Sequence, residues 1–175
     1  MPSRLRFSPD GTQWASVAWD QGVRRISVLQ AESGKILSYN AECPQWLTVE
    51  NSPRAVSPDG KWLASGNEDR TVTVWNAATG QETLTLTGHS YSVSSVCFSP
   101  DGKRLASVAT NDSIVRMWDA VTGRETASLK GHKTTIQSVC FSADGKRLAS
   151  ASRDGTVKVW DVATGRETLT LTTGH

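Results

Sequence analysis

Two consecutive stretches decide the fold: GHSYSVSSVCFSPDGKRLASVATNDSIVRMWDAVTGRETASLK (88–130) and GHKTTIQSVCFSADGKRLASASRDGTVKVWDVATGRETLTLTT (131–173). Gly-His opens each of them and recurs at 174–175. Ser-Pro-Asp-Gly stands at 8–11, 57–60 and 99–102, with Ser142-Ala143-Asp144-Gly145 as a fourth copy. Trp75, Trp118 and Trp160 are followed by Asn76, Asp119 and Asp161. At a fixed offset come Gly80, Gly123 and Gly165, with Gly34 as an earlier counterpart. The turn glycines Gly11, Gly60, Gly102 and Gly145 recur at intervals of 49, 42 and 43 residues, so separate anchors agree on a period near 43. A period of this size marks an array of stacked supersecondary units.

Within a unit, turn chemistry separates short β-prone runs. In the third, 92–98 ends at Pro100-Asp101-Gly102, where Pro presets φ and Gly supplies positive φ. Residues 105–109 form the next run, closed by the polar turn 110–113; 114–118 follows, and Thr122-Gly123 turns the chain into 126–129. Strands at this spacing predict an all-β fold, and no stretch sustains a helical period. Val96-Cys97-Phe98 and Val139-Cys140-Phe141 are apolar on both faces of a strand, as a sheet covered on both sides requires.

The bulk numbers exclude several function classes. Nineteen basic and 17 acidic residues leave a net charge of +2, spread along the chain. That argues against a nucleic-acid partner, which calls for a clustered basic stripe. Cys43, Cys97 and Cys140 are an odd number, a poor basis for a disulfide framework, and read as small buried hydrophobes of a reducing compartment. No segment has signal-peptide or membrane-span character, so no membrane role and a cytoplasmic location are expected. The three histidines lie 43 residues apart without a second ligand at metal spacing, so neither a metal nor a cofactor is expected.

Gly-His, Phe-Ser-Pro-Asp-Gly, Leu-Ala-Ser, and Asp six residues before Trp-Asp together resemble the WD40 repeat family. Near-identical consecutive repeats are similar to those of bacterial WD proteins. The resemblance implies a β-propeller segment of about four blades, each a four-stranded antiparallel sheet. The chain is expected to form a single segment over 1–175, with repeats at about 1–35, 36–80, 81–123 and 124–165 and an orphan outer strand over 166–175. The third and fourth repeats match fully. The second lacks the Gly-His, and the first is the most degenerate, with Leu29 standing where Trp belongs.

The resemblance also implies a buried hydrogen-bond tetrad in each blade. In the third it would join Trp118, Ser107, His89 and Asp112; in the fourth, Trp160, Ser150, His132 and Asp154. The second keeps Trp75, Ser65 and Asp69 without a His, and the first only Ser16 and Asp20. Indole N–H only donates, a hydroxyl accepts and donates, and imidazole passes the pattern on to a carboxylate. A Ser, a His and an Asp also suit acyl transfer. The set recurs once per repeat, however, whereas a catalytic site needs one unique copy, and no Gly-x-Ser-x-Gly elbow accompanies it. No catalytic residue is therefore assigned.

Function in such a frame is expected at loop tips that vary against it. The residue before each turn Asp changes from Trp19 to Glu68, Asn111 and Arg153, and the resemblance places this position near the channel mouth. Tyr91, after one Gly-His, varies as well. These five are the candidate contacts for a protein or peptide partner. Trp46, in the longer first interval, is read as a core plug. The expected function is a non-catalytic scaffold, with a regulatory or sensor module fused to a catalytic domain, such as a bacterial Ser/Thr kinase, as the alternative. Four blades leave two apolar faces bare. Either the chain is a fragment of a longer propeller, or a homodimer builds an eight-bladed ring by exchanging its final strands.

Overall fold

The computed structural model describes residues 54–172 continuously, with side chains from 55, and before them the backbone of 5–7, 13–20, 23–30 and 36–40. Every regular element among the described residues is a β-strand. The first sheet comprises β1 (Leu5–Phe7), β2 (Gln13–Asp20), β3 (Val23–Gln30) and β4 (Ile36–Asn40). The second comprises β5 (Arg54–Val56), β6 (Trp62–Gly66), β7 (Val72–Asn76) and β8 (Glu82–Leu86). The third comprises β9 (Val93–Phe98), β10 (Arg104–Ala109), β11 (Ile114–Asp119) and β12 (Glu125–Lys130). The fourth comprises β13 (Ile136–Phe141), β14 (Arg147–Ser152), β15 (Thr156–Asp161) and β16 (Glu167–Thr172). All four are antiparallel meanders paired in chain order, the blades of a β-propeller segment.

Turn chemistry produces the meanders. At the first turn of the third blade, the Ser99 hydroxyl donates to Asp101 at 2.5 Å, and the N–H groups of Lys103 and Arg104 donate to Asp101 and to Ser99 Oγ. Gly102 closes that turn at φ 69°. The same bonds recur at Ser57–Asp59 and Ser142–Asp144. The Asp after Trp is also a turn device, for Asp119 accepts the N–H groups of Val121 and Thr122 and the Thr122 hydroxyl.

Two expectations change here. The last strand is no orphan, because β16 pairs with β15 from Thr156↔Thr172 to Trp160↔Glu167. Its hairpin, held by Thr164 donating to Asp161 and by Gly165 N–H to the Asp161 carbonyl, returns the chain directly alongside β15. Outer strands therefore belong to the blade before them, and the repeat boundaries at about 36, 81 and 124 fall within blades.

The second change concerns Leu29. It pairs across the sheet with Trp14, in the register that pairs Leu105 with Trp118 and Leu148 with Trp160. The first blade thus keeps a Leu opposite a Trp in the register, with the two exchanged between neighbouring strands.

The core lies between blades. Phe98, Leu105 and Trp118 of the third blade share one cluster with Ala64, Val74 and Leu86 of the second. Leu148 and Trp160 of the fourth share another with Ala106, Met117 and Leu129 of the third. The third and fourth blades each lay their Trp-bearing side on the small and aliphatic side of the blade before them. Trp46 lies outside the described residues.

Candidate functional site

Two sets of residues were singled out by sequence, and they occupy different depths. The Trp–Ser–His–Asp sets lie inside the blades. In the fourth, Trp160 Nε1 donates to Ser150 Oγ at 2.9 Å, and Ser150 Oγ lies 2.8 Å from His132 Nε2. His132 Nδ1 lies 2.9 Å from Asp154 Oδ2. Asp154 also accepts the Lys133 N–H, the Thr156 N–H and the Thr156 hydroxyl. With indole only able to donate, Ser150 passes its own proton to Nε2, and Nδ1–H donates to the carboxylate. Burial would raise the Asp154 carboxyl, but the hydrogen bonds from Thr156, Lys133 and His132 hold it well below the usual carboxylate range.

The third blade is looser. Trp118 Nε1 donates to Ser107 Oγ at 2.8 Å and Ser107 lies 2.7 Å from His89 Nε2, but His89 Nδ1 is 3.6 Å from Asp112 and lacks a hydrogen bond. The cause is legible in the turn. Eleven residues separate Ser107 from Trp118 where ten separate Ser150 from Trp160. The extra residue lies in the β10–β11 turn, since Ser107 pairs with Arg116 where Ser150 pairs with Lys158, and Asn111 there takes φ 55°. Ile114 also stands where Thr156 supplies a hydroxyl, leaving Asp112 with the Ile114 N–H. Burial, followed by the nearby Arg116 charge, pushes the His89 imidazole below its ordinary value, against the pull of Asp112.

The second blade replaces its missing His with a residue that sequence reading overlooked. Trp75 Nε1 donates to Ser65 Oγ at 3.4 Å, and Ser65 donates to Asn67 Oδ1 at 3.2 Å. The Asn67 amide then donates to Thr71 and Thr73, and the Thr71 hydroxyl donates to Asp69. Asp69 thus joins the chain only through Thr71 and Asn67. The side chains of Ser16, Trp19 and Asp20 lie outside the described residues.

The exposed set lies along one rim. Glu68, Tyr91, Asn111 and Arg153 are all exposed. Backbone hydrogen bonds tie their turns together in sequence: Val93 N–H to Asn67 O, Thr110 N–H to Ser92 O, Ile136 N–H to Asp112 O, and Arg153 N–H to Thr135 O. Two of these bonds cross from one blade to the next, so the rim is continuous over three blades. Among the described residues no group of His, Cys, Asp or Glu is arranged to hold a metal ion, and no helix is long and apolar enough to cross a membrane.

The family model of the WD domain, G-beta repeat, matches residues 49–76, 80–119 and 123–161, more than half of the chain. The chain belongs to the WD40 family. It is 35% identical over 109 residues to the WD repeat-containing protein sll1491 of Synechocystis sp., covering 62% of this chain and 29% of that protein. It is 42% identical over 111 residues to the Lissencephaly-1 homolog of Caenorhabditis briggsae, covering 60% of this chain and 25% of the relative. It is 32% identical over 133 residues to Protein HIRA of Dictyostelium discoideum, covering 63% of this chain and 11% of the relative. The chain thus spans less than a third of the length of these WD40 relatives. WD40 repeats characterise a family of protein–protein interaction scaffolds.

Proposed function

We propose that this chain is a non-catalytic scaffold that captures a protein or peptide partner on the rim carrying Glu68, Tyr91, Asn111 and Arg153. The supporting observation is the rim itself. Its side chains differ from blade to blade, yet their turns are locked by backbone bonds to a regular frame. Tyr and Arg are the residue types enriched where protein interfaces carry most energy, and the frame fixes their backbone, which leaves side-chain freedom as the ordering cost. Trp19 belongs to the same proposal by its sequence position.

Chemistry of its own is not part of this reading. Ser107 and Ser150 are at most 1% exposed, and each is already engaged by an indole N–H and an imidazole. A nucleophile so enclosed has no route to a substrate. A cytoplasmic location is included, in keeping with the free thiols of Cys97 and Cys140.

Affinity capture followed by mass spectrometry tests the proposal, comparing the unaltered chain with a Tyr91→Ala/Arg153→Ala variant. A partner set retained by the first and lost by the second is expected. An unchanged set would move the site off this rim, and ester turnover abolished by Ser150→Ala would overturn the non-catalytic reading. A second form of the same role is a sensor module attached to a catalytic domain. An open reading frame encoding such a domain in continuity with this segment is its test.

A further inference from the structure

Arg70 occupies a backbone conformation that the same chain gives to glycine elsewhere. It takes φ 75° in the β6–β7 turn, and the equivalent place in the β14–β15 turn holds Gly155 at φ 78°. The two turns close alike, with the Arg70 N–H donating to the Asn67 carbonyl and the Gly155 N–H to the Ser152 carbonyl, each at 3.3 Å. A bulky L side chain in this region is strained, and strained residues gather at functional sites. Arg70 is exposed, and its guanidinium makes no ion pair or hydrogen bond among the described residues. No bond within the blade accounts for a cation there.

Arg70 belongs to the rim. Its turn starts at Asn67, whose carbonyl accepts the Val93 N–H and so abuts the loop that carries Tyr91. Lys133 and Arg153 stand farther along the same rim, both exposed and without an ion pair among the described residues. The Arg153 position is open by the design of the blade: Glu68 and Asn111, its equivalents, stay exposed although a following blade lies beside each. The rim carboxylates are mostly engaged. Asp69 accepts the Thr71 N–H and hydroxyl, Asp112 the Ile114 N–H, and Asp154 the donors of His132, Lys133 and Thr156. Three unpaired cations thus stand around a half-exposed tyrosine, with Glu68 as the one rim carboxylate that has no bond among the described residues.

We propose that the partner held by this rim is an acidic segment of another protein, bound by Arg70, Lys133 and Arg153 around Tyr91. The inference rests on the rim being the capture site and adds the chemistry of what it captures. Guanidinium groups take carboxylates in bidentate pairs, and a tyrosine supplies contact area between them. The turns and the blade-to-blade bonds fix the backbone, so the cations stand at a constant spacing. A net charge of +2 spread over the whole chain falls short of a nucleic-acid stripe, whereas three cations on one rim suit a short run of side-chain carboxylates.

Fluorescence anisotropy of the full chain with fluorescein-labelled octaglutamate, octalysine and oligothymidylate tests this, with the urea midpoint of each variant measured alongside. Octaglutamate is expected to bind, more weakly as salt is added, and octalysine is expected not to bind. Arg70→Gly is expected to weaken octaglutamate about tenfold, the loss of one interface arginine. Its urea midpoint should be kept, because glycine suits φ 75°. Arg70→Lys retains the charge and should retain most of the binding, and Glu68→Gln should tighten it. Lys103→Ala/Lys146→Ala, in turns at the opposite end of the blades, should leave it unchanged. Absent octaglutamate binding, tighter binding of oligothymidylate, an unchanged affinity in Arg70→Gly, or an equal loss in Lys103→Ala/Lys146→Ala would each overturn the proposal. Captured proteins lost in Tyr91→Ala/Arg153→Ala but kept in Arg70→Gly would remove the acidic class and leave the rim as the capture site.

Discussion

The polar residues buried in these blades show how one network can be finished to different degrees. Asp154 collects four donors, including the backbone N–H of Lys133, and so ties the His-bearing loop to the β14–β15 turn. Asp112 holds only the Ile114 N–H. Asp154→Ala should therefore destabilise the protein by ~1–3 kcal/mol, from buried donors left unpaired. Asp112→Ala should cost under ~1 kcal/mol, the range of a substitution that breaks no buried network. Urea midpoints of the two variants check this, and equal costs would refute the ranking. His89 carries a pH signature. Burial and Arg116 lower its folded-state value, so an unfolded chain, titrating near 6.5, binds the proton first as pH falls. This contribution is complete above about pH 6.5 and declines below it. Urea stability measured from pH 7.5 to 5 should fall more steeply in the unaltered protein than in His89→Gln, and parallel profiles would exclude His89 as the source. The sequence showed which residues stand in line for these networks, because spacing to Trp is written in the chain. It did not show Asn67 as a substitute for His, because an amide two residues beyond Ser65 becomes a partner only when the turn folds it back.

Strands and turns were the most legible level, since Pro, Asp and Gly punctuate the chain where φ must change sign. The run read at 114–118 became Ile114–Asp119, and 126–129 became Glu125–Lys130, differences confined to strand ends. The partner of the last strand was misread because a repeat boundary in sequence is not a blade boundary in space. Hairpin geometry settles that question, and periodicity carries no information about it. The Trp14–Leu29 pairing was hidden for a related reason, as motif matching compares positions along the chain and strand register compares them across it. Gly66, at the end of β6, marks where one element meets another closely. A Cβ there would lie 2.5 Å from Val93 Cγ1 and 2.9 Å from the Val93 carbonyl oxygen, and backbone cannot yield as a flexible side chain can. Gly66→Ala should lower stability by ~1–3 kcal/mol through overpacking, despite the gain in strand propensity. The reverse change Ala151→Gly, at the equivalent place on the fourth blade, should cost only about 0.5–1 kcal/mol, the backbone entropy of Gly in a strand. Thermal melts of the pair decide the matter, and a neutral Gly66→Ala would mean that β9 can retreat.

At the scale of the whole molecule, stability should follow how many faces of each blade are covered. The third blade is clasped on both sides, and Leu105, Ala106, Val108 and Val115 have no exposed surface. The fourth is covered on one side only, and every residue of β16 is exposed. Nearest-neighbour stacking makes a repeat array strongest where interfaces are shared and weakest at an end, so opening should begin at β15 and β16. Hydrogen exchange followed by mass spectrometry reads this gradient. Peptides spanning 156–172 should exchange faster than the equivalent 114–130, although both sheets have the same pairing pattern and both segments carry Trp-Asp and Thr-Gly-Arg-Glu-Thr. Burial between blades, rather than the hydrogen-bond ladder, is then the quantity that sets the order of opening. Uniform protection would mean that each sheet is stable without its neighbours.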